Sequence, residues 1–195
     1  GKKKYPSDTN ISNAVLNYYI ASGQQETMVS KLEEAIAKDP NNAELPFNLG
    51  IIYEGLAHPT TGAAPANAAS YEQKAEAAYQ KALSLNSEKG NYNYQLGALY
   101  FNQAVEFNKS MSSLGVGKED QVKYNAQLKD RDALFAKALP LLEKSRDLYQ
   151  ANLSNLTGEE KGLFIQSLKA LSQIYTIHNQ LDKAKESRDL SKTIQ

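Results

Sequence analysis

His58 and His178 are the only imidazoles in the chain, so general acid–base chemistry would have to rest on one of them or on paired carboxylates. His58 precedes Pro59 in a stretch with the composition of a loop. His178 closes a helical pattern at Asn179, where an imidazole interacts favourably with the helix dipole. No carboxylate is read at ligand spacing from either, and a two-histidine metal site would require these distant residues to meet. The adjacent acids Glu33-Glu34 and Glu159-Glu160 point about 100° apart on a helix, which suits solvated surface and capping. Gly115-Val116-Gly117-Lys118 comes nearest to a phosphate loop. Ser112 stands where that motif has its first Gly, Glu119 where it has Ser or Thr, and no strand pattern precedes it. The absence of cysteine excludes disulfides, thiolate metal sites and a thiolate nucleophile. The Asn-x-Ser/Thr triplets at Asn10, Asn108, Asn152 and Asn155 follow from the abundance of Asn and Ser. The residues therefore predict no catalytic group, no cofactor and no metal, and a chain that is not an enzyme.

Charge and hydropathy narrow the partners. Lys plus Arg and Asp plus Glu are both 22, giving a net charge of zero. That balance removes the electrostatic reason to expect nucleic acid or binding to a membrane surface. No apolar run approaches the roughly 20 residues of a spanning helix, so no membrane insertion is expected. Gly1-Lys2-Lys3-Lys4 is followed at once by Tyr5-Pro6-Ser7-Asp8 instead of an apolar stretch. We read this start as trimmed, which favours an exported or periplasmic protein over a cytoplasmic one.

The elements that must position any site come from an internal repeat. Leu49-Gly50-Ile51-Ile52-Tyr53 and Leu96-Gly97-Ala98-Leu99-Tyr100 both read Leu-Gly-x-x-Tyr, after Phe47-Asn48 and Tyr94-Gln95. Val15-Leu16-Asn17-Tyr18-Tyr19 keeps the apolar and Tyr places upstream, and Leu171-Ser172-Gln173-Ile174-Tyr175 keeps Leu, a small residue and Tyr downstream. Each segment is followed by a second helical pattern with spacings of four and three: Met28, Leu32, Ala35; Ala75, Tyr79, Ala82; Ala138, Leu142, Ser145; and a degraded one from Ala184. Gly50, Gly97 and the Ala places let helices approach closely, while Tyr, Leu and Phe fill the facing holes. Gly23 and Pro40 punctuate the first pair.

The pattern resembles the tetratricopeptide repeat family, over about residues 9–193. The resemblance implies an all-α, right-handed superhelical array of antiparallel helix pairs, with four repeats (about 9–42, 43–89, 90–152 and 157–195) and eight helices in one domain, 1–195. Two departures stand out. Tyr53 to Ala75 is 22 residues and Tyr100 to Ala138 is 38, where the regular unit has nine. The first insertion, about 58–68, reads as a loop. The second, about 109–125, reads as mostly helical: Phe101 to Met111 prolongs one helix, 112–119 turns, and Gln121 to Lys137 leads into the next, with Pro140 expected to kink it. Such elaborations, and the string from Ala138 to Lys144, look like bacterial members of the family. Thr157 to Glu160 fits a capping box that starts the fourth helix A.

In this family the first helices of the pairs line a concave groove that holds a peptide or partner helix. Carried onto this sequence, the groove comprises Asn13 and Asn17, then Phe47, Asn48 and Ile51, then Tyr94, Gln95 and Phe101, then Gln166, Lys169 and Gln173. Amides bond both backbone groups of an extended peptide and aromatics supply apolar pockets; packing between repeats is the competing role for Phe47 and Tyr94. The family's dicarboxylate clamp is incomplete. Asn17 and Asn48 match its Asn places, but Asn13, Asn91 and Gln95 stand where its cations belong. The charge-assisted bonds of a clamped carboxylate are thereby lost. The expectation is a scaffold for a neutral peptide or helix, with self-association through an uncapped last repeat, or a fragment of a longer array, as the alternative. The charged stretches Lys123 to Asp132 and Lys183 to Asp189 are expected to be solvated, ion-paired faces.

Overall fold

The computed structural model describes residues 22, 24–59 and 62–194. Among them are seven α-helices and no strand: α1 (Gln25–Lys38), α2 (Glu44–Ala57), α3 (Ala68–Leu85), α4 (Gly90–Ser112), α5 (Lys118–Ala151), α6 (Gly158–Ile177) and α7 (Leu181–Thr193). A short 3-10 turn, Leu153–Asn155, joins α5 to α6. The expected first helix around Val15 to Tyr19, with Asn13, Asn17 and the break at Gly23, lies outside the described residues. The chain divides into two compact units, Gly1–Ser87 and Glu88–Gln195.

In the first unit α2 packs against both α1 and α3. Such a central helix must be apolar on most sides, and α2 buries Phe47, Leu49, Ile52, Tyr53 and Ala57. The connection to α3 is non-helical from His58 to Asn67 where it is described, as expected for the first insertion. In the second unit α4 pairs with α5, α5 with α6, and α6 with α7, while α4 also touches α6. The stretch expected as the second insertion lies in a helical hairpin formed by the C-terminal half of α4 and the N-terminal half of α5, with a turn at 113–117. It is closed by the rings of Phe101 and Phe135 at 5.9 Å. Arg131 Nη1 donates to Asn108 Oδ1 (3.1 Å) and the Gln127 amide donates to Ser110 Oγ (3.0 Å). α5 continues through Pro140. The carbonyl of Ala136 loses its helical donor there, but both residues are exposed, so water satisfies it.

Helix ends follow the local chemistry. Thr157 Oγ1 accepts from the Glu160 N–H (3.2 Å) and Glu160 Oε2 accepts from the Thr157 N–H (2.9 Å), which is the expected capping box. At the other end of α6, Asn179 takes φ 57°. This lets the Gln180 N–H reach the Tyr175 carbonyl (2.7 Å) and the Asn179 N–H reach Thr176 (3.1 Å), closing the helix with a left-handed residue.

The three described helix pairs share one register. Ala75, Ala138 and Ala184, each fully buried, begin the packed face of α3, α5 and α7. The residue before each of them is a lysine whose ammonium lies over the tyrosine of the preceding helix: Lys74 over Tyr53 (5.4 Å), Lys137 over Tyr100 (4.9 Å) and Lys183 over Tyr175 (5.3 Å). Four residues after the alanine, the second helix meets the small residue of the first. A Cβ added to Gly50 would overlap the Tyr79 ring, and one added to Gly97 would lie 2.9 Å from Leu142 Cγ. In the last pair Ser172 holds that place, with Arg188 Nη1 donating to its Oγ (3.4 Å) and its own hydroxyl donating to the Ala184 carbonyl (3.0 Å). The expected close approach at Gly50 and Gly97 is therefore present.

A methyl at Gly50 would have to displace a fully buried ring, whereas one at Gly55, on the same helix, meets nothing within 4 Å. Gly50→Ala is expected to lower the unfolding free energy by about 1–3 kcal/mol. Gly55→Ala is expected to raise it by up to about 1 kcal/mol. Urea denaturation followed by circular dichroism separates the two, and equal effects would contradict the packing described.

Candidate functional site

The expected groove residues of the first unit divide between core and surface. Phe47 is 6% exposed and its ring packs on Tyr79 at 5.8 Å. This corrects its assignment to a binding face, because the space left by Gly50 draws Tyr79 inward and Phe47 closes over it. Asn48 and Ile51 are half-buried on α2, and Asn48 makes no hydrogen bond to another described residue.

In the second unit two expected residues from different helix pairs meet. The Tyr94 hydroxyl on α4 donates to Gln166 Oε1 on α6 at 2.5 Å. Gln166, Lys169 and Gln173 are exposed and, at spacings of three and four, share one face of α6. Gln95 is half-buried on α4. Gln95, Lys169 and Gln173 have no hydrogen bond or ion pair to another described residue. Phe101 is half-buried and spends one face on Phe135, inside the inserted hairpin. The α4–α6 face thus carries one tyrosine–amide bond flanked by uncommitted amides and one ammonium.

A different place in this unit collects charge. An open cleft of about 320 Å³ lies between α5 and α7, floored by α6. Glu143, Arg146 and Asp147 line the α5 wall, Lys183 and Glu186 the α7 wall, and Tyr175 and Leu168 the floor. Tyr175 donates to Glu143 Oε1 (2.5 Å) and accepts from Arg146 Nη1 (3.5 Å), and Arg146 Nε also bonds Asp147 Oδ1 (2.8 Å). Burial first, then Glu143, pushes the Tyr175 hydroxyl up to about 12. Sequence reasoning placed Lys183 and Glu186 on a solvated face and gave Glu143, Arg146 and Asp147 no role. The signal that marks them is the i, i+3, i+4 spacing of Glu143, Arg146 and Asp147, together with Lys183 and Glu186 one turn apart on α7.

The candidate catalytic motifs resolve into structure. His178 caps α6, as its sequence context implies. His58, for which the sequence shows no carboxylate at ligand spacing, sits with Nε2 2.9 Å from Glu72 Oε1 and within electrostatic range of Glu54, one turn earlier on the same helical path. Among the described residues no group of three or more His, Cys, Asp or Glu side chains converges as metal ligands would. The Gly115 N–H is taken by Asp120 Oδ2 (3.2 Å), so a carboxylate occupies the position a phosphate loop would offer to an anion. No described helix is long and apolar enough to cross a membrane. Compared with known proteins, the sequence matches no protein-family model and no curated protein.

Glu54 accepts the Tyr79 hydroxyl at 2.7 Å. Burial raises its pKa above 4.5, against the lowering effects of that bond and of His58. A carboxyl with a raised folded pKa binds its proton more tightly in the native state, so its contribution to stability is present below pH 4.5 and is lost as pH rises through the folded value. Glu54→Gln keeps an acceptor for Tyr79 without the charge. The stability of the variant relative to wild type is expected to rise with pH above 4.5 and then level off, in urea titrations across pH 4 to 8. A difference independent of pH would contradict the burial of that charge.

Proposed function

We propose that this chain is a non-catalytic interaction scaffold of the tetratricopeptide type, with helices α2, α4 and α6 in the role of groove-lining helices. The observation that carries the reading is the register shared by three helix pairs. Tyrosine, lysine–alanine and a small residue recur at the same places although the intervening chain differs in length by tens of residues. The contact between α4 and α6 supports it as well, since the first helices of successive pairs adjoin in such arrays. The superhelical arrangement and the eighth helix belong to this proposal.

Binding would use the α4–α6 face. Its polar residues Gln95, Gln166 and Gln173 offer paired donors and acceptors to an extended backbone, and Tyr94 offers an apolar flank with a polar tip. One ammonium, Lys169, is the only charge among the six expected groove residues of this unit, so a neutral segment is the favoured ligand. Self-association through the last helix has less support, because α7 exposes Asp182, Lys185, Asp189 and Lys192, and charge of this kind opposes burial without partners.

The test is capture of partners from lysate and envelope fractions by the wild-type chain and by Tyr94→Ala/Gln166→Ala/Gln173→Ala, with circular dichroism confirming that both are folded. The reading predicts a partner held by the wild type and lost from the variant by more than about tenfold in affinity, as removal of several central contacts implies. A variant that retains every partner would move binding off this face.

A further inference from the structure

The cleft between α5 and α7 has an internal control. Glu33, Tyr53 and Lys74 in the first unit repeat the arrangement of Glu143, Tyr175 and Lys183 in the second. The Tyr53 hydroxyl donates to Glu33 Oε1 (3.0 Å), as Tyr175 does to Glu143, and each ring lies under its lysine. These three residues are therefore what the scaffold requires at this place. In the same register the first unit has Ile36, Ala37 and Ala77 where the second has Arg146, Asp147 and Glu186. The helix arrangement forms with aliphatic residues at all three places, so folding does not demand the three charges.

Internal bonds consume only part of that charge. Asp147 uses one oxygen on Arg146 Nε, and Arg146 Nη1 donates to Tyr175. Lys183 meets only a ring face, and Glu186 makes no ion pair or hydrogen bond with a described residue. The cleft thus holds one uncommitted cation and one uncommitted anion a single helical turn apart, with Arg146 and Asp147 opposite them. Half-buried Leu190 adds aliphatic surface beside this group, while Leu168 beneath it is fully buried in the core. A volume of about 320 Å³ sits at the small end of small-molecule sites, below what a helix needs.

We infer that this cleft binds a free zwitterionic α-amino acid. Its carboxylate would face Lys183 and Arg146, its ammonium Glu186 and Asp147, and its side chain would lie toward Leu190. A ligand bearing a single charge engages only one of Lys183 and Glu186 and forgoes the charged hydrogen bond to the other. The site is separate from the α4–α6 face, and its ligand does not depend on the scaffold reading.

The experiment is calorimetric titration of the full chain with L-leucine, N-acetyl-L-leucine and L-leucinamide. It is repeated on Arg146→Ile/Glu186→Ala, which installs the residues of the first unit and is expected to keep wild-type helicity and melting. The expected result is binding of leucine, at least about tenfold weaker binding of either blocked analogue, given the loss of a charged hydrogen bond in each, and no binding to the folded variant. Absence of leucine binding at millimolar concentration, equal binding of the analogues, or undiminished binding by the folded variant would each overturn the assignment.

Discussion

Each described helix pair is organised around a buried tyrosine. Its ring is covered by the ammonium of a lysine on the second helix, immediately before the buried alanine that opens that helix's packed face. In Tyr53 and Tyr175 the hydroxyl is satisfied by a glutamate from the helix before. A buried hydroxyl without a partner is costly, so this one bond also fixes which turn of the preceding helix lies alongside. The same group therefore sets two interfaces, one backward in the chain and one forward. The small residue three places earlier then sets how close the second helix comes, through Gly50, Gly97 or Ser172.

Because these contacts are local to the pair, the chain between the helices is free to vary. The α2–α3 connection is a loop, the α4–α5 connection a hairpin of two extended helices, and the α6–α7 connection a short turn closed by Asn179, yet the register on either side is the same. This separates the residues that hold the fold from those available for binding. The scaffold uses tyrosine, lysine, alanine and glycine at fixed places. Side chains that differ between otherwise equivalent places, such as Arg146 and Glu186 against Ile36 and Ala77, lie outside that requirement.

Much of this was legible in the sequence because it rests on short-range spacing. Leu-Gly-x-x-Tyr and the alanine that opens each second helix announce the pairs, and Thr157 with Glu160 announces the start of α6. For Phe47 the competing role, packing, is the one observed, and a helix packed on both sides leaves too few polar residues for the sequence to show which face is buried. The bond between Tyr94 and Gln166 joins residues 72 apart, and no local pattern encodes it. The charged cleft escaped for a related reason. Charges of alternating sign along one helix read as solvated surface, and only the approach of α5 to one side of α6 and α7 to the other turns part of that surface into a cavity.

The central claim is that a glycine in the first helix and a large residue four places after the alanine in the second are matched in size. A double-mutant cycle of Gly97→Ala and Leu142→Ala tests it directly. Shortening Leu142 removes the two nearest atoms that a Gly97 methyl would strike, Cγ and Cδ2, and leaves only Leu141 Cβ at 3.2 Å. The double variant is therefore predicted to be more stable than the sum of the single effects by about 0.5–3 kcal/mol, the range of coupling between residues in contact. Additive effects would mean that Gly97 and Leu142 do not share this space, and would contradict the account of how the pairs are built.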